Sequence, residues 1–138
     1  MSRSTPVIPP LDGPYWTGLS VGELRFQHCE ACDHDWLPSR AACPACLKRS
    51  FVWRTSGGKG RVVSWVVYHR AYADHLVARL PYDVTIVALD EGPRLLTNII
   101  DSNAGRRLKV GQRVTLAVEE EGGLRLARFR LDTEEPSA

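Results

Sequence analysis

Apolar and polar positions alternate through the second half of this 138-residue chain. GRVVSWVVYHR (60–70) is rich in β-branched and aromatic residues and reads as a strand. Val62, Ser64, Val66 and Tyr68 fall on one face, and Val63, Trp65, Val67 and His69 on the other. YDVTIVALD (82–90) follows the same period. DEGP (90–93) is a turn, from which RLLTNII (94–100) returns as the antiparallel partner. QRVTLAVEE (112–120) and LRLARFRLD (124–132) make a second hairpin around EGG. That hairpin turns Val114, Leu116 and Val118 inward with Leu124, Leu126 and Phe129 near them, which requires a register change close to Arg128. One long strand and two hairpins supply five strands, suited to a small barrel such as an OB-fold.

The first half is less periodic. Asp12 is placed to cap a short helix with Pro14 in its first turn, and Tyr15, Trp16 and Leu19 then lie on its exposed or docked side. This helix precedes the compact part and has little of its own to pack on, so the three apolar residues are candidates for contact with a partner. GELRFQH (22–28) is a strand feeding HCEACDHDWLPSRAACPACLKR (28–49), which holds all four cysteines. Cys29-x2-Cys32 and Cys43-x2-Cys46 each place two sulfurs on a tight turn, so four thiolates can converge on one tetrahedral ion. Zinc is the expected metal, and iron of the rubredoxin kind, with the same ligand set, less so. A four-thiolate site has no open position for water or substrate, so the expected role is structural. His28 and His34 flank the first pair and are not needed as ligands.

Composition narrows the setting. Hydrophobic content of 43% and charged content of 25% are ordinary for a globular protein, and a formal charge of +2 announces no nucleic-acid or membrane partner. No window approaches the roughly 18 apolar residues of a membrane-spanning helix. MSRSTPVIPPLDGPYW has prolines where a signal peptide needs an apolar core, so the cytoplasm is the expected compartment. Clustered cysteines there more often bind metal than form disulfides. The expected organisation is an N-terminal extension and short helix (1–22), a zinc ribbon (23–54), a five-stranded OB-fold barrel (55–131) and a disordered tail (132–138). The fold class is mainly β.

In order, PYWTGLSVGELRFQHCEAC, LPSRAACPAC, GGKGRVVSWVVYHR, PYDVTIVALDEGPRLLTNII, VGQRVTLAVEE and ARFR span residues 14–130. This series resembles the acyl-CoA-associated zinc-ribbon/OB-fold family, a rubredoxin-like zinc ribbon joined to an OB-fold and known as domain of unknown function 35. Asp33 stands where that family commonly has glycine, and Ser39 where it commonly has a second proline. The resemblance implies an accessory subunit, not catalytic alone, in an acyl-CoA aldolase, thiolase or hydratase complex. Its partner would be a thiolase-superfamily protein, such as a lipid-transfer-protein-like aldolase, or a hot-dog-fold hydratase. The chain would help form the acyl-CoA site, in steroid side-chain or lipid metabolism.

The residues agree with a subunit that is not a nucleophilic catalyst. The cysteines are committed to metal, and the chain carries no HExxH or GxSxG motif. HRAYADH (69–75), with His69, Tyr72, Asp74 and His75, lies between two expected strands, where a barrel builds sites and interfaces. His69, Tyr72 and His75 join Tyr15, Trp16 and Leu19 as candidate partner contacts. The phosphates of CoA call for cations, for which Arg40, Lys48 and Arg49 in the ribbon and Lys59 and Arg61 at the barrel start are the candidates; Arg70 and Arg79 bracket HRAYADH. GGKGR (57–61) pairs a pliant backbone with two of them. Two other classes compete. One is a single-stranded nucleic-acid-binding OB-fold, for which the charge is too evenly balanced. The other is an assembly factor without CoA contact.

Overall fold

The computed structural model describes residues 10–69 and 80–132. Expected contacts at Tyr72, Asp74 and His75, with Arg70 and Arg79, lie outside these residues. So does the tail beyond Asp132. A 3-10 turn (Pro10–Asp12) leads into helix α1 (Gly13–Ser20). The Asp12 side chain makes no capping bond to the helix; it accepts a hydrogen bond from Ser39 Oγ instead. Thus the residue expected to start the helix ties it to the ribbon. The helix ends because Gly22 takes a positive φ of 83°, letting Glu23 N–H reach Gly18 O at 2.8 Å and Gly22 N–H reach Leu19 O at 3.0 Å.

Three strands form the ribbon: β1 (Arg25–Cys29), β2 (Asp35–Trp36) and β3 (Phe51–Thr55), in the order β2-β1-β3. Two knuckle loops interrupt this sheet, so backbone pairing alone gives it little support. The buried Gln27 compensates. Its side-chain amide donates to Arg40 O at 2.9 Å and accepts from Arg40 N–H at 2.8 Å, pinning the long loop to β1 as an extra strand rung would.

Five longer strands follow: β4 (Lys59–Tyr68), β5 (Tyr82–Leu89), β6 (Arg94–Thr97), β7 (Arg113–Glu121) and β8 (Leu124–Leu131). Their order is β6-β5-β4-β7-β8, all antiparallel. A parallel bridge between Ile99 and Phe129 brings the two edges together, with Ile100 N–H donating to Phe129 O at 2.8 Å. This is the five-stranded, nearly closed barrel of an OB-fold.

Two inward patterns differ from the simple alternation. In β4 a bulge between Val62 and Ser64 inserts Val63, so Val62 pairs with Val87 and Trp65, not Ser64, pairs with Thr85. The inward face thereby passes from Val62 to Trp65, leaving Ser64, Val66 and Tyr68 outside. In the last hairpin the register runs unbroken, with Val114 opposite Leu131, Leu116 opposite Phe129 and Val118 opposite Ala127. No register change occurs at Arg128. Phe129 reaches the core because Leu124 and Leu126 belong to the other face, opposite Glu121 and Glu119.

The core joins Val62, Val87, Ile99, Val114 and Phe129 to Leu19 and Leu24. Leu19, expected on the exposed or docked side of its helix, is 0% accessible and packs into this core. Burial of its side chain against the barrel contributes about 2 kcal/mol, enough to seat a two-turn helix that would not form alone. Asp132, expected in the tail, is held by its N–H to Arg113 O at 3.1 Å and accepts a hydrogen bond from Thr115 Oγ1.

Candidate metal centre and the cavity beside it

Each knuckle is closed by its own backbone. Asp33 N–H donates to Cys29 O at 2.9 Å and Leu47 N–H to Cys43 O at 2.8 Å, while Ala31 and Ala45 each aim an N–H at a cysteine sulfur from 3.4 Å. Asp33 and Leu47 both adopt positive φ, 64° and 67°, the turn position for which glycine is the easy residue. The two turns face each other, and the ligand atoms of Cys29, Cys32, Cys43 and Cys46 all lie within 4.8 Å of one another. Cys29 Sγ is 3.6 Å from Cys46 Sγ, and Cys32 Sγ is 3.6 Å from Cys43 Sγ.

A tetrahedron of sulfurs about 2.3 Å from a central ion has edges of about 3.8 Å, so the four sulfurs fit a tetrahedral metal. Two of the four thiols are shifted toward thiolate by their surroundings. Burial opposes ionisation of Cys29 and Cys43, but N–H groups directed at the sulfurs outweigh it, lowering both; Cys43 comes to about 7. The His34 N–H favours a thiolate at Cys32, yet burial and the Cys43, Cys46 and Cys29 sulfurs push it up to about 12. Four negative sulfurs at these spacings need a cation between them. Trp36 and Phe51 cover the cluster edge-on with ring centroids 5.8 Å apart.

His28 is buried beside the cluster. Its Nδ1 lies 2.5 Å from Asp35 Oδ1 and its Nε2 3.3 Å from Asp33 Oδ1, so two carboxylates occupy the ring nitrogens. His34 is exposed and stacked on Trp36. Neither histidine belongs to the ligand set.

A second feature had no sequence signal. Between α1, the ribbon loop and the β5–β6 edge lies a mainly apolar cavity of about 520 Å³. Tyr15 and Trp16, half-buried and edge-to-face at 5.2 Å, form one wall; Leu37, Leu95 and Leu96 face them. Burial and then the Asp12 carboxylate push the Tyr15 hydroxyl up to about 12, so it stays a proton donor at neutral pH. Among the described residues, Arg94 is the one cation of the lining. Arg40, Lys48, Arg49, Lys59 and Arg61 are exposed, and none of the five lines this cavity.

Nor is GGKGR an open cradle for phosphate. Gly57 N–H donates to Glu91 Oε2 at 2.8 Å and Gly58 N–H to Ser56 Oγ at 3.0 Å, so a carboxylate already fills that turn. His69 is exposed at the end of β4. A second, polar hollow of about 330 Å³ includes Asp83 and Arg128, whose charges are met internally. Asp83 accepts from Ile99 N–H, Ser102 Oγ and Thr85 Oγ1, and Arg128 pairs with Glu119 and Glu121.

The order of parts has known counterparts. The sequence model of the ChsH2 rubredoxin-like zinc ribbon domain matches residues 16–52, and that of the ChsH2 C-terminal OB-fold domain matches residues 53–119. A DUF35 domain-containing scaffold protein of Methanothermobacter thermautotrophicus is 33% identical over 103 residues, covering 72% of this chain and 76% of that protein. The chain belongs to the DUF35 family. Another relative is a probable enoyl-CoA hydratase alpha subunit of Thermomonospora curvata, 34% identical over 123 residues and 86% of this chain. The DUF35 chain here spans 37% of that longer protein. Among solved structures, an Ltp2-ChsH2(DUF35) aldolase superposes with a TM-score of 0.80 at 28% identity, over 94% of this chain and 100% of the matched one. A DUF35 protein of unknown function from Sulfolobus solfataricus, 14% identical with a TM-score of 0.65 over 89% of this chain and 86% of that one, shares the fold.

Proposed function

We propose that this DUF35 chain is a non-catalytic accessory subunit of an acyl-CoA-processing complex, bound to a thiolase-superfamily aldolase or thiolase. The observation that carries this reading is the superposition, over nearly its full length, on the chain of an aldolase described as Ltp2-ChsH2(DUF35). The hydratase name of a second relative fits the same class of thioester substrate with a different partner. The apolar cavity supports it too: about 520 Å³ lined by Trp16, Leu37, Leu95 and Leu96 suits a hydrocarbon chain, with Arg94 at its rim. The four cysteines hold zinc, closed to substrate, which fixes the ribbon against the cavity. The compartment is the cytoplasm, and the acyl group is of the steroid side-chain or fatty-acid kind.

The test is turnover of acyl-CoA by the chain alone, by the partner alone and by the two together. The account expects no product from the chain alone and more product from the mixture than from the partner. Turnover by the purified chain, or a partner indifferent to it, would contradict the reading.

A further inference from the structure

Among the described residues, Val21, Leu47, Ile100 and Val110 are exposed apolar residues standing singly in turns or loops, which is normal for a protein surface. The outer face of β4, β5 and β6 is different. Register places Tyr68 beside Tyr82, Val66 beside Val84, and Ser64 beside Ile86 and Leu96, three adjoining rungs pointing away from the core. The Tyr68 and Tyr82 rings meet at 5.3 Å. Leu96 is 69% accessible and Val66 53%, so water covers much of a continuous apolar surface.

The next rung changes character. Arg61 and Arg94 flank Ala88 from its two sides, and Arg113 stands opposite Arg61. Like charges directly across a sheet repel. Asp90 forms a two-pronged pair with Arg113 at 2.7 and 2.8 Å, and reaches Arg61 only through longer-range attraction. Among the described residues Arg61 and Arg94 hold no ion pair, so the apolar rungs are edged by unmatched positive charge.

We infer that this face is where the partner enzyme docks, through an apolar surface edged by carboxylates; the inference rests on the accessory-subunit reading above. The rungs from Tyr68 and Tyr82 to Leu96 argue for a protein, because a sheet face spreads its contacts over several rungs. Charge states the partner's chemistry, because carboxylates are what Arg61 and Arg94 lack. Ile86, Arg94 and Leu96 also line the cavity, so a partner seated here closes the cavity's mouth.

The test uses the full chain and the thiolase-superfamily protein that co-purifies with it. Leu96→Glu and Val66→Glu replace exposed residues and leave the core intact; Val110→Glu is the control at a 75% accessible apolar residue elsewhere. Binding should weaken at least about tenfold for either face variant and by less than about twofold for Val110→Glu. Arg61→Glu with Arg94→Glu should weaken binding and reverse its dependence on salt. Metal content and circular dichroism report whether each variant folds. Wild-type affinity in folded face variants overturns the docking face while leaving the accessory reading intact. A wild-type chain that binds neither a thiolase-superfamily protein nor a hydratase overturns both. Retention of oligo(dT) through Arg61 and Arg94, without such a partner, assigns the face to nucleic acid and overturns the proposal.

Discussion

Phe129 and Leu126 differ by three positions in one strand, and the fold assigns them opposite fates. Phe129 is 0% accessible, opposite Leu116, and its backbone closes the barrel through Asn98 and Ile100. Leu126 is half-buried on the other face, opposite Glu119. Truncating a buried phenylalanine to alanine costs about 3–5 kcal/mol, from lost transfer energy plus the cavity left behind. Leu126→Ala removes a half-covered side chain and leaves no closed void, so it costs about 1 kcal/mol. At about 4 °C per kcal/mol for a domain of this size, Phe129→Ala should melt roughly 12–20 °C below the parent and Leu126→Ala roughly 4 °C below. Thermal unfolding by circular dichroism, at one fixed metal concentration, reads both. Equal losses in the two variants would mean that Leu126 shares the core with Phe129, and would refute the unbroken hairpin register.

Gln27→Leu removes both bonds to the Arg40 backbone; stability should fall by about 1–3 kcal/mol and the Arg40 amide should exchange faster, as read by hydrogen exchange. Cys29→Ser or Cys46→Ser should abolish metal binding and lower exchange protection in β1 to β3 more than in the barrel; retained metal, by elemental analysis, would contradict the four-thiolate site. The Arg113 guanidinium holds the Asp90 carboxyl below its ordinary value, so the pair's stabilisation is present above about pH 3.9 and is lost as pH falls through the lower folded value. Asp90→Asn should therefore melt lower at neutral pH and lose less than the parent on acidification, in melts across that range.

The four cysteines were legible because two paired spacings admit few chemistries, and the five strands because alternation and turn residues mark them. Three features were not, for physical reasons. A bulge at Val63 shifts the inward face by one residue, and no residue type announces it. For Leu19 the sequence left an exposed or a docked side open; the helix packs Leu19 into the barrel core, a long-range contact outside any sequence window. The cavity draws on four separated segments, from Asp12 to Leu96, so no local motif encodes it. Of the cations chosen for phosphate, Lys59 and Arg61 lie on the outer face of β4, while Arg94, with no distinguishing neighbour in sequence, is the one cation among the described residues that lines the cavity.

The most direct test of the central claim is to recover the tagged chain from its native host, identify what accompanies it and assay its metal. The account requires a thiolase-superfamily or hydratase partner together with about one zinc per chain. A chain that emerges alone, or with nucleic acid in place of an enzyme, would contradict it.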